Sequence, residues 1–137
     1  MALIHLDAGV LIGFLDADDS HHQSAHDVVA EALDHGDRLA MATSALAECL
    51  VGPARRGDDA VELVHDFRQR LPIEVVDLDV DIATAAARLR ARHRSLRLSD
   101  ALVIATAHER EADELVTTDG QWPHPKTLGV QGSIRII

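Results

Sequence analysis

The spacing of apolar positions changes several times along the chain, and each change marks an element. The run Ala2-Leu-Ile-His-Leu6 is short and nearly all apolar, which predicts a buried strand ending at Asp7. Ala8–Leu15 has helical character. Ser20 offers an N-cap to a second helix, where Val28, Val29 and Leu33 recur at helical spacing, and His35–Gly36 supplies a glycine stop. Arg38–Ala42 is a strand candidate of weak propensity. Helices are expected over Ser44–Val51 and Asp58–Arg70, divided by the breaker Gly52-Pro53. Ile73–Val76 reads as a strand, and Asp79–Arg94 as a helix with Ile82, Ala85, Ala86 and Leu89 on its apolar stripe. Ser99–Arg110 is apolar on nearly every face and should be a buried helix. Glu114–Thr117 is a further strand, followed by a loop with Gly120 and Pro123 and a last strand at Ser133–Ile136. Strands alternating with helices predict an α/β sandwich: a central, mostly parallel sheet flanked by helices, one domain over residues 1–137.

Composition narrows the picture. Hydrophobic residues are 47% of the 137, which excludes a disordered chain. The only aromatics are Phe14, Phe67 and Trp122, so the core rests on Leu, Ile, Val and Ala, and recognition by base stacking is disfavoured. Cys49 stands alone and cannot form an internal disulfide, which fits a reducing compartment. The apolar stretch Ala8–Leu15 is too short to span a bilayer and lacks the basic lead-in of a signal peptide, so a cytoplasmic, non-membrane protein is expected. The net charge of −10 opposes broad electrostatic binding of nucleic acid. A nucleic-acid enzyme of this charge needs carboxylates that bind cations and basic residues gathered in one place.

Both are present. Asp7 ends the first strand and Asp119 follows Glu114–Thr117, so both lie at carboxyl ends of strands, where open parallel sheets bind ligands. Asp100 falls in the first turn of the buried helix, and Glu48 on the helix after the second strand. Such a set suits a hard divalent cation, which takes oxygen ligands and keeps several waters. Each acid also has a plain reading. Asp100 complements a helix dipole, and Asp119 before Gly120 makes a turn. Glu48 shares a small polar helix face with Ser44 and Gly52, which is equally a solvent face. Asp7 is the hardest to account for this way, because a carboxylate after a buried strand is costly unless bound or solvated.

Taken together, these segments resemble PIN domains along nearly the whole chain. Leu6-Asp7-Ala8-Gly9-Val10-Leu11-Ile12 is similar to the family's opening acidic motif, and Thr43-Ser44-Ala45-Leu46-Ala47-Glu48 to its segment with the central glutamate. Leu98-Ser99-Asp100-Ala101-Leu102-Val103-Ile104-Ala105-Thr106-Ala107 resembles the third motif. Leu115-Val116-Thr117-Thr118-Asp119 resembles the fourth, with Thr117 two residues before the acid as a supporting group. Asp18-Asp19-Ser20-His21-His22 with Ala25 is similar to VapC-type members. The resemblance implies a Mg²⁺- or Mn²⁺-dependent endoribonuclease toxin with Asp7, Glu48, Asp100 and Asp119 around the metal. It also implies a homodimer and a cognate VapB-like antitoxin that blocks the cleft. Many members carry a hydroxyl or amide residue two positions after the first acid, where this chain has Gly9.

Five of the thirteen basic residues, among them Arg88, Arg92, Arg94 and Arg97, fall within Arg88–Arg97, just before Asp100. They are candidates for holding the RNA backbone, since guanidinium groups pair with phosphate. A solvated helix face reads equally well. His22 and His26 are one helical turn apart but lack a third ligand, so a surface pair is preferred over zinc. Cys49 is expected to be a small buried hydrophobe. A receiver-like phosphorylation domain fails because the only lysine, Lys126, lies in a Pro-rich loop. A catalytically inactive PIN-fold module acting through protein or RNA contacts is the remaining rival. Which RNA is cut, and whether one or two metals bind, stay open.

Overall fold

Five strands, β1 (Leu3–Leu6), β2 (Arg38–Ala42), β3 (Ile73–Val76), β4 (Glu114–Thr117) and β5 (Ser133–Ile136), lie side by side in the order β3-β2-β1-β4-β5. Every neighbouring pair is parallel. The computed structural model describes the whole chain, Met1–Ile137. Seven helices connect the strands: α1 (Ala8–Leu15), α2 (His22–Asp34), α3 (Thr43–Arg56), α4 (Asp58–Arg70), α5 (Val80–Arg92), α6 (Leu98–Glu109) and the short α7 (Pro125–Leu128). The expected α/β sandwich is therefore correct, and its sheet is parallel throughout.

The connections explain where a site can form. From β1 the chain steps to β2 and then to β3, always in one direction. After α5 and α6 it returns past both and places β4 on the other side of β1. From β1 the chain goes on to β2 on one side and from β4 to β5 on the other, so the strand order reverses between β1 and β4, the usual ligand position in such sheets. β1 is short but deeply set, with His5 and Leu6 almost fully buried. On α6, Asp100, Ala101 and Val103 through Ala107 are all buried, as its nearly uniform apolar surface required.

Four local readings need correction. α3 is not broken at Gly52-Pro53 but runs through it to Arg56. Ala45, Cys49 and Pro53 are four residues apart and all buried, so Pro53 belongs to the helix's packing stripe, and burial outweighs the local cost of a proline. Ser20 does not cap α2. The Asp19 side chain instead accepts from the His21 amide at 2.8 Å, its carbonyl accepts from the His22 amide at 3.0 Å, and the helix starts at His22. α5 ends at Arg92 rather than Arg94, and the loop after Gly120 contains α7.

Candidate active site

Asp7 leaves β1 and immediately caps α1. Its Oδ1 accepts from the Ala8 amide at 2.8 Å, so it caps α1 through the first helical N–H. Its Oδ2 accepts from the Thr117 hydroxyl at 2.8 Å. Thr117 ends β4 and is completely buried, and its Oγ1 also accepts from the Asp119 amide at 3.1 Å. One hydroxyl thus ties the first acid to the backbone of the last across the β1–β4 crevice. Asp119 in turn accepts from the Gln121 amide at 2.8 Å, so it makes the turn that its sequence context indicated while standing at the crevice.

Asp7 and Asp100 are both buried, each 8% exposed, whereas Asp119 is half-buried and Glu48 exposed on α3. Burial pushes the Asp7 carboxyl above its ordinary pKa. The Thr117 and Ala8 hydrogen bonds oppose that rise, and the nearby charges of Asp100 and Glu48 add to it. Arg97, just ahead of α6, donates from Nε to Asp100 Oδ2 at 3.2 Å. That bond and the charge of Asp100, with smaller contributions from Glu48 and Asp119, hold its guanidinium firmly protonated. All four acids therefore act on one locale. No three of them close into a metal shell by themselves. The donor set is all hard oxygen, and each Asp7 oxygen accepts a single protein hydrogen bond, which fits a hydrated divalent cation on one or two direct carboxylates.

Beneath this surface Cys49 lies buried on α3, its thiol pushed up to about 12 by burial and by the charges of Asp7 and Glu48. It donates weakly to the Ala8 carbonyl at 3.5 Å and behaves as the buried hydrophobe expected of it. The histidine pair is a packing device: His26 stacks on Phe14 with centroids 4.2 Å apart, and His22 bonds the Gly13 carbonyl at 2.8 Å. Of the arginines, only Arg97 meets a site acid. Arg88, Arg92 and Arg94 are exposed and form no ion pair.

Three residues near the crevice escaped the sequence reading. Thr118 answers the question of Gly9: a Cβ at position 9 would collide with the Thr118 hydroxyl, so the threonine fills the space a side chain there would take. Trp122 lines a cleft with Arg97, Asp100 and Asp119. His5, on β1 two residues before Asp7, is buried with Nε2 unpaired, and burial together with Arg110 lowers its pKa to about 4. The nearly all-apolar run Ala2–Leu6 flags His5 as buried, but nothing local flags Thr118 or Trp122.

The fold and the crevice define a class. A family model described as the PIN domain matches residues 4–127, and the chain belongs to that family. Among solved structures it is similar to VapBC2 from Rickettsia felis, bound to a promoter DNA fragment, with a TM-score of 0.72, 16% identity and 98% of each chain covered. It is also similar to VapC20 from Mycobacterium tuberculosis, described as a toxin cleaving the sarcin-ricin loop, with a TM-score of 0.71, 18% identity, and 93% of this chain and 95% of that one covered. A toxin-antitoxin complex from Klebsiella pneumoniae gives a TM-score of 0.66 at 23% identity, covering 97% and 95%. No curated protein matches by sequence.

Proposed function

We propose that this PIN domain is a VapC-like toxin, an endoribonuclease that depends on Mg²⁺ or Mn²⁺ and is restrained by a VapB-like antitoxin. The observation that carries the reading is the Asp7–Thr117–Asp119 link at the β1–β4 crevice, with Asp100 and Glu48 pressing their charge on a buried Asp7. A structural carboxylate has no reason to be buried among others, and a cation relieves that repulsion. Asp7, Asp100, Asp119 and Glu48 are the residues that would hold it, and a bound divalent cation supplies charge neutralisation and activation of water for attack on phosphorus. Thr117 fixes the Asp7 carboxylate in place, and Asp7, by capping α1, anchors the site to a rigid element. Arg97 keeps one face of its guanidinium toward the site and its remaining N–H groups free for phosphate.

Two features support a regulated toxin. The structural neighbours include toxin-antitoxin complexes of this fold. Beside Glu48, a groove of about 480 Å³ between α1, α3 and α4 is lined by Ile12, Leu15, Pro53 and Val64, with Asp16 and Arg56 among its polar residues. Such a groove fits a partner peptide that offers apolar side chains and brings charge to the acids. A homodimer and a cytoplasmic setting belong to the same reading. No helix is long and apolar enough to cross a membrane.

The test is incubation of the purified protein with a mixed pool of structured RNAs and Mn²⁺ or Mg²⁺, beside samples with a chelator and the Asp7→Asn and Asp100→Asn variants. Discrete cleavage that vanishes in every control is the expected result. Cleavage that survives both substitutions places the activity elsewhere. Folded protein that cuts nothing and gains no Tm from millimolar metal supports the inactive binding module instead.

A further inference from the structure

The segment between α5 and α6 faces the loop after β4 across a cleft of about 270 Å³. Its walls include Ser95, Arg97, Asp100, Asp119, Gln121 and Trp122, so two of the four site acids form part of it. We propose that this cleft is a nucleotide subsite, taking the base beside the scissile phosphate against Trp122 and the phosphate on Arg97. The inference rests on the nuclease reading and adds to it where the substrate is gripped.

The cleft brings together the groups a nucleotide needs and that the rest of the molecule lacks. The chain has one tryptophan, no tyrosine and two phenylalanines. Phe14 is stacked on His26 and Phe67 lies on α4, which leaves Trp122 as the one aromatic ring at the crevice. An aromatic wall accepts any base face. The indole is half-buried against the core while it lines the cleft, so its position is fixed before any ligand arrives. Arg97 spends only Nε on Asp100, its side chain is 75% exposed, and its Nη nitrogens have no protein partner. Gln121 and Ser95 add exposed polar groups that suit a base edge. Charge sets the orientation: Arg97 is the cation of the cleft, so the phosphate lies toward its guanidinium and the neutral base toward the indole.

Because no other tryptophan or tyrosine is present, intrinsic emission reports on this cleft alone. The experiment titrates the whole protein, with Mg²⁺, with each of the four nucleoside 5′-monophosphates and with a 2′-O-methyl oligoribonucleotide whose integrity after each titration is checked on a gel. A saturable change in Trp122 emission is expected, weakened about 10-fold or more in Arg97→Ala, with inorganic phosphate alone leaving the emission unchanged. In RNA cleavage, Trp122→Ala is expected to raise KM with a smaller change in kcat, and Trp122→Phe to restore KM. Where Trp122→Ala does not fold, Trp122→Phe and Arg97→Ala carry the comparison. RNA cleavage without any emission change from nucleotide or oligonucleotide overturns the subsite and leaves the nuclease reading standing. Saturable quenching without cleavage retains the subsite and removes the nuclease. Absence of both removes both.

Discussion

Two carboxylates on this sheet receive opposite treatment. At the β3 edge, Glu74 is exposed and held by Arg110 at 2.8 Å and Arg38 at 3.3 Å, and the Arg110 hydrogen bond leads in keeping its pKa low. At the β1–β4 crevice, Asp7 is buried, has carboxylates for charged neighbours, and carries a raised pKa. Glu74 already has its cations and can do nothing further with its charge. Asp7 is held by neutral donors alone, which fix its position without satisfying its charge. That difference separates a carboxylate serving the fold from one kept ready for a ligand.

The largest effect should come from removing the unsatisfied charge. Asp7→Asn keeps the capping oxygen yet should lower cleavage by more than about 100-fold, beyond the usual cost of losing a supporting group. The same variant should raise the Tm in chelator, since it relieves the repulsion, and should lose any Tm gain on adding Mn²⁺. A wild-type Tm below that of the variant in saturating metal would break the comparison. Thr117→Val comes next. It removes the hydroxyl that orients Asp7 and should weaken Mn²⁺ binding, measured calorimetrically, by about 10- to 100-fold.

A pH series sharpens the contrast through His5, which lies on β1 within reach of both Arg110 and Glu74. Its folded pKa of about 4 is below the ordinary 6.5, so the unfolded chain binds the extra proton between those values. Stability from this group is complete above about pH 6.5 and is lost as pH falls toward 4, by about 3 kcal/mol in all. Denaturant melts at pH 7, 5.5 and 4.5 should show that decline, and His5→Gln should flatten it. Asp7 opposes the trend, because a raised carboxyl pKa favours folding as pH falls. The smallest effect belongs to Glu74→Gln: less than about 1 kcal/mol in denaturant melts, with cleavage unchanged. A large loss of cleavage there would show that the two carboxylates are not separate.

Much of this was readable in the sequence, for a reason that also marks the limit. Short apolar runs closed by an acid, as at Leu6-Asp7, are local signals, and so is the uniformly apolar surface of α6. The order of the strands then brought Asp7 and Asp119 to one crevice, as parallel topology demands. What escaped depends on partners distant in sequence. Thr117 is expected as a supporting group only through the family resemblance, because its hydroxyl meets Asp7 only after β1 and β4 pair. Pro53 is a breaker by its neighbours and a core residue by its packing. A count of aromatics cannot locate Trp122, and the single tryptophan stands in the cleft beside Asp100 and Asp119.

The contact between Gly9 and Thr118 also constrains how this protein can change over generations. A side chain gained at position 9 alone meets the Thr118 hydroxyl, which must shift to make room. Loss of the Thr118 side chain first leaves space that a new residue at position 9 can occupy. The two sites are therefore coupled: the effect of a substitution at position 9 is expected to depend on the residue at position 118.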